Sequence, residues 1–255
     1  MEYLVSATTD VGNVKKTNQD SINVKTMTIN GEKVVMAVLC DGMGGLEKGE
    51  VASATVIKAF HKWTVEVLPG LYARGFTEND IRSEWTRLIT ENNEKIKLYG
   101  KRCAISLGTT ITAILLAKGN YYCVNVGDSR TYEIYDQVVS LTKDQTVVAR
   151  DVELGLITPE QAATDPRRSV LLQCIGASET VYPDFFFGKE KQNAVYMLCS
   201  DGFRHEISPE EIYAAFRPDN MMSADQMKEN EIALIDLNKR RMERDNISVI
   251  TIRTY

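Results

Sequence analysis

Short apolar runs broken by turn-forming residues fill most of this chain. Runs with alternating or β-branched character predict strands at 3–8, 20–29, 33–40, 109–117, 121–127, 130–135, 181–187, 194–199 and 247–253. That many strands excludes an all-helical fold. Asn30-Gly31 separates "INVKTMTI" from "EKVVMAVLC", and Gly119-Asn120 separates "TTITAILLA" from "YYCVNVGD". Such short links join antiparallel neighbours.

Apolar residues recur at helical spacing over 50–67 and 78–99, with a Pro-Gly loop at 69–77 between them, and again over 224–243. The first pair, followed by a hairpin, predicts two helices across one sheet face, with Phe60 and Trp63 in the core. The third pattern carries Met227, Ile232, Leu234, Ile235 and Leu237 and is expected to cover the opposite face. Together these predict two packed sheets with helices outside. Segment 142–180 mixes charge with Gly155, Pro159 and Pro166 and reads as an excursion over a site. No repeat or linker divides the chain, and strands near both ends describe one domain over 1–255.

Composition narrows the classes. Among 255 residues, 44% are hydrophobic, enough for a sizeable core, and 30 Lys and Arg stand against 35 Asp and Glu. A net charge of −5 gives no general attraction to nucleic acid or an anionic membrane. No apolar run nears the roughly 20 residues of a spanning helix, and "MEYLVSATTD" is not a leader, so a cytoplasmic location is expected. Five cysteines, Cys40, Cys103, Cys123, Cys174 and Cys199, form no CxxC pair. They read as small buried hydrophobes.

Candidate chemistry lies at the strand ends. "VLCDG" ends at Asp41, "VNVGDSR" reaches Asp128, "YMLCSDG" reaches Asp201, and "RDNISVITI" starts a last strand beside Asp245. Any one of these is an ordinary turn former. Four brought together would repel one another unless a cation intervened. Oxygen-only donors suit Mg²⁺ or Mn²⁺, and Gly42 and Gly202 let the backbone turn close to a metal. Two such ions sharing a carboxylate would acidify a water for attack on a phosphate ester. The only histidines, His61 and His205, make a His-rich zinc centre improbable. "DGMGG" has neither GxGxxG nor a GK[ST] ending, which weakens a nucleotide-loop reading.

The ordered series "TTDVGNVKKTNQDS", "DGMGGLEKGEVAS", "GTT", "GDSR", "LTKDQT", "GLITPEQA", "MLCSDG" and "RDNISVI" resembles the bacterial branch of the PP2C-type metal-dependent protein serine/threonine phosphatases. The resemblance spans essentially the whole chain. It implies an α+β fold, a four-layer α-β-β-α sandwich of two central antiparallel sheets flanked by helices, with 142–180 as a flap that shapes phosphoprotein selection. Two Mn²⁺ or Mg²⁺ ions are implied, with a third, weaker site. Asp41 would bridge the two ions, and the Gly42 carbonyl would serve one. Asp201 and Asp245 would complete the other, and Asp128 with Asp201 would hold the third. Asp20 would support the water network, and Asn246 would orient the neighbouring ligand. Water would attack phosphorus directly, with no phosphoenzyme.

Two positions depart from the family pattern. Lys15 replaces an arginine that contacts substrate phosphate, keeping charge and losing the planar fork; Lys16 could substitute if this segment were not extended. Gln19 replaces a glutamate and brings no charge to the metal-bound water. Met43 stands where the eukaryotic branch has a histidine, as is common in bacterial members, and His205 is a minor candidate for the leaving-group acid. The expected function is hydrolysis of phosphoserine and phosphothreonine in proteins by a monomer opposing a cognate kinase. A catalytically impaired phosphoprotein-binding module with the same fold is the alternative, motivated by Lys15 and Gln19. A small phosphorylated metabolite as substrate is a third reading.

Overall fold

Each strand expected from the alternation is present, the run at 181–187 as Asp184–Lys189, and a short strand at Val138–Ser140 is added to them. The computed structural model describes residues 1–43 and 48–255; Gly44 and Gly45, in the glycine cluster after Asp41, lie outside the described residues. Strands β1 (Tyr3–Asp10), β10 (Ile247–Thr254), β9 (Val195–Cys199), β6 (Arg130–Ile134) and β7 (Val138–Ser140) form one sheet in that order. The second runs β2 (Ser21–Ile29), β3 (Glu32–Cys40), β4 (Ile111–Ala117), β5 (Asn120–Val126) and β8 (Asp184–Lys189). Every pairing within both sheets is antiparallel.

The unbroken apolar text of β3 follows from burial on both faces. Val35, Ala37 and Leu39 meet Tyr196, Leu198, Ile250 and Ile252 between the sheets. Val34, Met36, Val38 and Cys40 point the other way, into a core shared with helices α1 (Gly49–Glu66), α2 (Leu68–Arg74) and α3 (Glu78–Cys103). There Phe60 and Trp63 pack against Trp85 with ring centroids 5.8 and 5.7 Å apart. On the outer face of the first sheet, Met197 and Val249 meet Phe203 of α6 (Asp201–Arg204), Phe216 of α7 (Pro209–Phe216) and Met227 and Leu234 of α8 (Ala224–Arg240). The result is the four-layer α-β-β-α sandwich.

Several local expectations need correction. The stretch 69–77 is not all loop, because Pro69 sits in the first turn of α2, where its missing N–H costs nothing. The second hairpin turns at Lys118 and Gly119, both with positive φ, one residue earlier than expected, and Ala117 pairs with Asn120. Ile232 faces solvent at 43% exposure, so the buried stripe of α8 is Met227, Leu234 and Ile235. Cys103 is exposed at the end of α3, whereas Cys40, Cys123, Cys174 and Cys199 are buried as expected. Segment 142–180 carries two short helices, α4 (Val147–Glu153) and α5 (Pro159–Thr164). Backbone bridges tie it to the body, Thr109 pairing with Ile175. No helix among the described residues is long and apolar enough to cross a membrane.

Candidate metal centre and active site

The acids predicted from the strand ends meet at one end of the sandwich. Asp41 leaves β3, Asp128 follows β5, Asp201 opens α6 directly after β9, and Asp245 precedes β10. Asp20, just before β2, joins them. Asp20, Asp128 and Asp201 are buried, and Asp41 and Asp245 are half-buried. Loss of hydration, reinforced by the fields of Asp20, Asp201, Asp128 and Asp245, holds the Asp41 carboxyl well above the usual carboxylate range. The same mutual repulsion relates four separate elements of both sheets to one space.

Burial pushes Asp20 up to about 7, opposed by the Ser248 and Ser200 hydroxyls and supported by Asp201 and Asp245. Burial likewise raises Asp128 to about 7, with Asp201 adding to the rise and Arg204 opposing it. The Ser248 and Ser200 hydroxyls lie near enough to Asp20 to act on its charge, but neither Asp20 oxygen has a donor at hydrogen-bonding geometry, and Oδ1 of Asp201 has none. Buried carboxylate oxygens without donors are costly, and a hard divalent cation is the partner that suits them. Among the described residues, no three His, Cys, Asp or Glu side chains are gathered closely enough to form a finished metal site. The acids lean instead on protein cations. Lys15 Nζ lies 2.8 Å from Asp245 Oδ1, and His205 Nε2 lies 3.6 Å from Asp201 Oδ2.

The glycines after the acids answer to close backbone packing. A Cβ on Gly42 would lie 2.5 Å from both the Gln19 and Gly49 carbonyl oxygens, and one on Gly202 would lie 2.3 Å from the Asn246 carbonyl oxygen. Gly42 donates its N–H to Gln19 O at 3.1 Å. The turn at Asp41 is thereby pinned to the segment that carries Asp20.

Short motifs without an assigned role prove to be fasteners. Thr110 Oγ1 accepts the Asp41 N–H at 3.0 Å, Thr109 donates its hydroxyl to Asp41 O at 2.8 Å, and Thr110 Oγ1 lies 2.8 Å from Ser129 Oγ. Thus "GTT" connects the Asp41 and Asp128 loops; its threonines precede β4 rather than open it. Arg130 of "GDSR" grips Asp144 of "LTKDQT" with two bonds of 2.6 and 2.8 Å. Arg204 donates to the same carboxylate at 3.1 Å and to Asp128 O at 3.0 Å.

Asn246 serves as a buckle. Its Oδ1 accepts the Gln19 N–H at 2.9 Å, its Nδ2 donates to Val11 O and Thr17 O, and its own N–H donates to Asp245 Oδ1 at 2.8 Å. Gln19 reaches toward Glu50 through Nε2 at 3.5 Å. Lys15, expected to face substrate phosphate, is occupied by Asp245. Residues 12–14 form a turn, so strand alternation does not apply here, and Lys16 is exposed. For His205, the minor candidate for leaving-group acid, burial pulls the imidazole pKa down, but Glu243 and Asp201 outweigh that and hold it above its ordinary value. Glu243, unremarked in the sequence, also accepts the Asp245 N–H at 2.9 Å. No spacing signal could have found it.

Comparison with known proteins follows the same lines. Residues 13–231 match the family described as Protein phosphatase 2C. The serine/threonine protein phosphatase PstP of Mycobacterium tuberculosis is 32% identical over 246 residues, which are 96% of this chain and 44% of that protein. The chain therefore spans less than half of that relative. A serine/threonine phosphatase structure from S. agalactiae superposes with a TM-score of 0.86 at 28% identity, covering 100% of both chains. The catalytic domain of PstP in complex with two manganese ions gives a TM-score of 0.78 at 28% identity, covering 98% of this chain and 97% of that one.

Proposed function

We propose a function from one premise: this chain belongs to the protein phosphatase 2C family. On that premise it is a metal-dependent phosphatase acting on phosphoserine and phosphothreonine in proteins. The observation that carries this reading is the buried Asp20 carboxylate, both oxygens unpartnered, amid Asp41, Asp201 and Asp245.

Asp41 would hold two ions, the Gly42 carbonyl would contribute to one, and Asp201 and Asp245 would complete the other. Asp128 and Asp201 would hold a third. When bound, Mn²⁺ or Mg²⁺ would neutralise the phosphoryl oxygens and make water acidic enough to react near neutral pH. Asp20, with free oxygens, and Gln19 would accept hydrogen bonds from the attacking water and aim it. Water would attack phosphorus directly as the bond from phosphorus to the seryl or threonyl oxygen breaks, the departing oxygen would take up the proton that the water gives up, and no phosphoenzyme would form. Asn246 keeps Asp245 aligned through its N–H. Lys15 brings positive charge to the incoming phosphate.

A cytoplasmic monomer opposing a serine/threonine kinase, with segment 142–180 as the flap, completes the reading. One observation favours the impaired-module alternative: Lys15 is drawn onto Asp245 rather than free for phosphate. Phosphate release from phosphothreonine peptides, compared with sugar phosphates at equal concentration under saturating Mn²⁺, separates the readings. The proposal expects peptide turnover with kcat/KM well above the sugar phosphates. Binding of phosphopeptide without turnover would identify the module, and preference for a sugar phosphate would identify a metabolite enzyme.

A further inference from the structure

A cavity of about 950 Å³ lies between segment 142–180 and the sandwich. Its lining includes Arg130, Arg204 and His205, each within four positions of Asp128 or Asp201, together with Arg168, Leu172 and Tyr182. Among the described residues, arginine and lysine outnumber aspartate and glutamate on its wall five to three, in a chain whose net charge is −5. The cavity is thus a local exception to the molecule's field.

Its cations are not equally engaged. Arg130 and Arg204 are committed to Asp144. Arg150 must share Asp151 with Arg167, at 3.3 and 3.2 Å. Arg168 makes no ion pair among the described residues and bonds the Ala163 carbonyl at 3.3 Å, so most of its donors are free. Beside these cations stand apolar side chains open to solvent, Leu172 at 44% exposure and Tyr182 at 72%. A free guanidinium with an exposed aromatic and aliphatic rim is the usual composition of a recognition surface.

We propose that this cavity docks an acidic segment bearing one large apolar side chain, next to the phosphoresidue in a phosphoprotein substrate, with Arg168 pairing its carboxylate and Leu172 and Tyr182 holding the apolar group. The proposal rests on the phosphatase reading for the identity of that segment. The lining supplies the rest: Arg204, which bonds the Asp128 carbonyl at 3.0 Å, belongs to the same wall as Arg168, Leu172 and Tyr182. Specificity thereby resides in the charge and apolarity of neighbouring residues.

The test measures fluorescence anisotropy of two labelled, unphosphorylated peptides, one with an Asp-Glu-Leu-Glu segment and one with Ser-Gly-Ala-Ser. Wild type is expected to bind the first at least about fivefold more tightly, the scale of one partly exposed ion pair. Arg168→Glu should remove that preference, Leu172→Ser should reduce it, and rising salt should weaken it. Equal binding of both peptides, or a preference unchanged in both variants, overturns the proposal. Because binding is read without turnover, the outcome does not depend on catalysis. Mn²⁺-dependent hydrolysis of p-nitrophenyl phosphate by the same preparations reports on the phosphatase reading, and should stay within about twofold in Arg168→Glu, since the residue lies outside the acid cluster.

Discussion

Lys15 is where side-chain chemistry decides most. Its ammonium and the Asp245 carboxylate are 2.8 Å apart, so a cation arriving at Asp245 must displace an internal one. Both partners are partly exposed, and such a pair contributes only about 1 kcal/mol or less. Lys15→Met is therefore expected to tighten Mn²⁺ binding by up to about fivefold in calorimetric titration, while KM for a phosphopeptide rises. Unchanged Mn²⁺ affinity would mean that the contact has no energetic weight. The carboxylates Asp41, Asp128, Asp201 and Asp245 were legible in the sequence because each closes or opens an apolar run. Glu243 and the Lys15 contact were not, since neither leaves a periodic trace.

For the elements, backbone approach sets the tolerance of the site. Helix α6 sits so tightly on the segment before β10 that a methyl at Gly202 would overlap the Asn246 carbonyl oxygen. Gly202→Ala is expected to push α6 away and carry Asp201 with it, lowering stability by about 1–3 kcal/mol, as overpacking does. Urea unfolding and Mn²⁺ titration of the variant would check both consequences; wild-type values in each would show that the helix can yield. Strand positions were legible because β3 and β9 are buried and carry continuous apolar runs, and because β10 is buried and rich in β-branched residues. Helix α2 was hidden by its Pro-Gly pair, which reads as loop unless the proline is known to occupy a first turn. Ile232 departs from expectation because, although it opens the run Ile-Ala-Leu-Ile, its neighbours at helical spacing include Lys228, Glu229 and Asp236, which mark the solvent face of α8.

Across the molecule, the acid cluster couples stability to pH and metal. Asp20 and Asp128 rise from 3.8 to about 7 on folding. A carboxylate raised this way favours the fold below its unfolded value, and that contribution is lost as pH climbs through about 7. Metal-free protein is therefore expected to have a lower Tm at about pH 8 than at about pH 5, by way of these groups. Divalent cations bind the deprotonated form, so the Tm gain from Mn²⁺ should grow over the same interval. Thermal scans with chelator and with Mn²⁺ would show it, and a gain independent of pH would contradict the coupling. The two-sheet architecture was legible from strand count and helix placement, whereas the network of Arg130, Asp144 and Arg204 was not, because it joins residues far apart in the chain.

The most direct measurement is phosphate release from a phosphothreonine peptide across a Mn²⁺ titration, run with wild type and Asp201→Asn. Saturable, Mn²⁺-dependent release by wild type, lost in the variant by at least about a hundredfold, is the predicted result. Equal release by both proteins, or release that persists under chelator, would contradict the assignment of the strand-end acids as the metal centre.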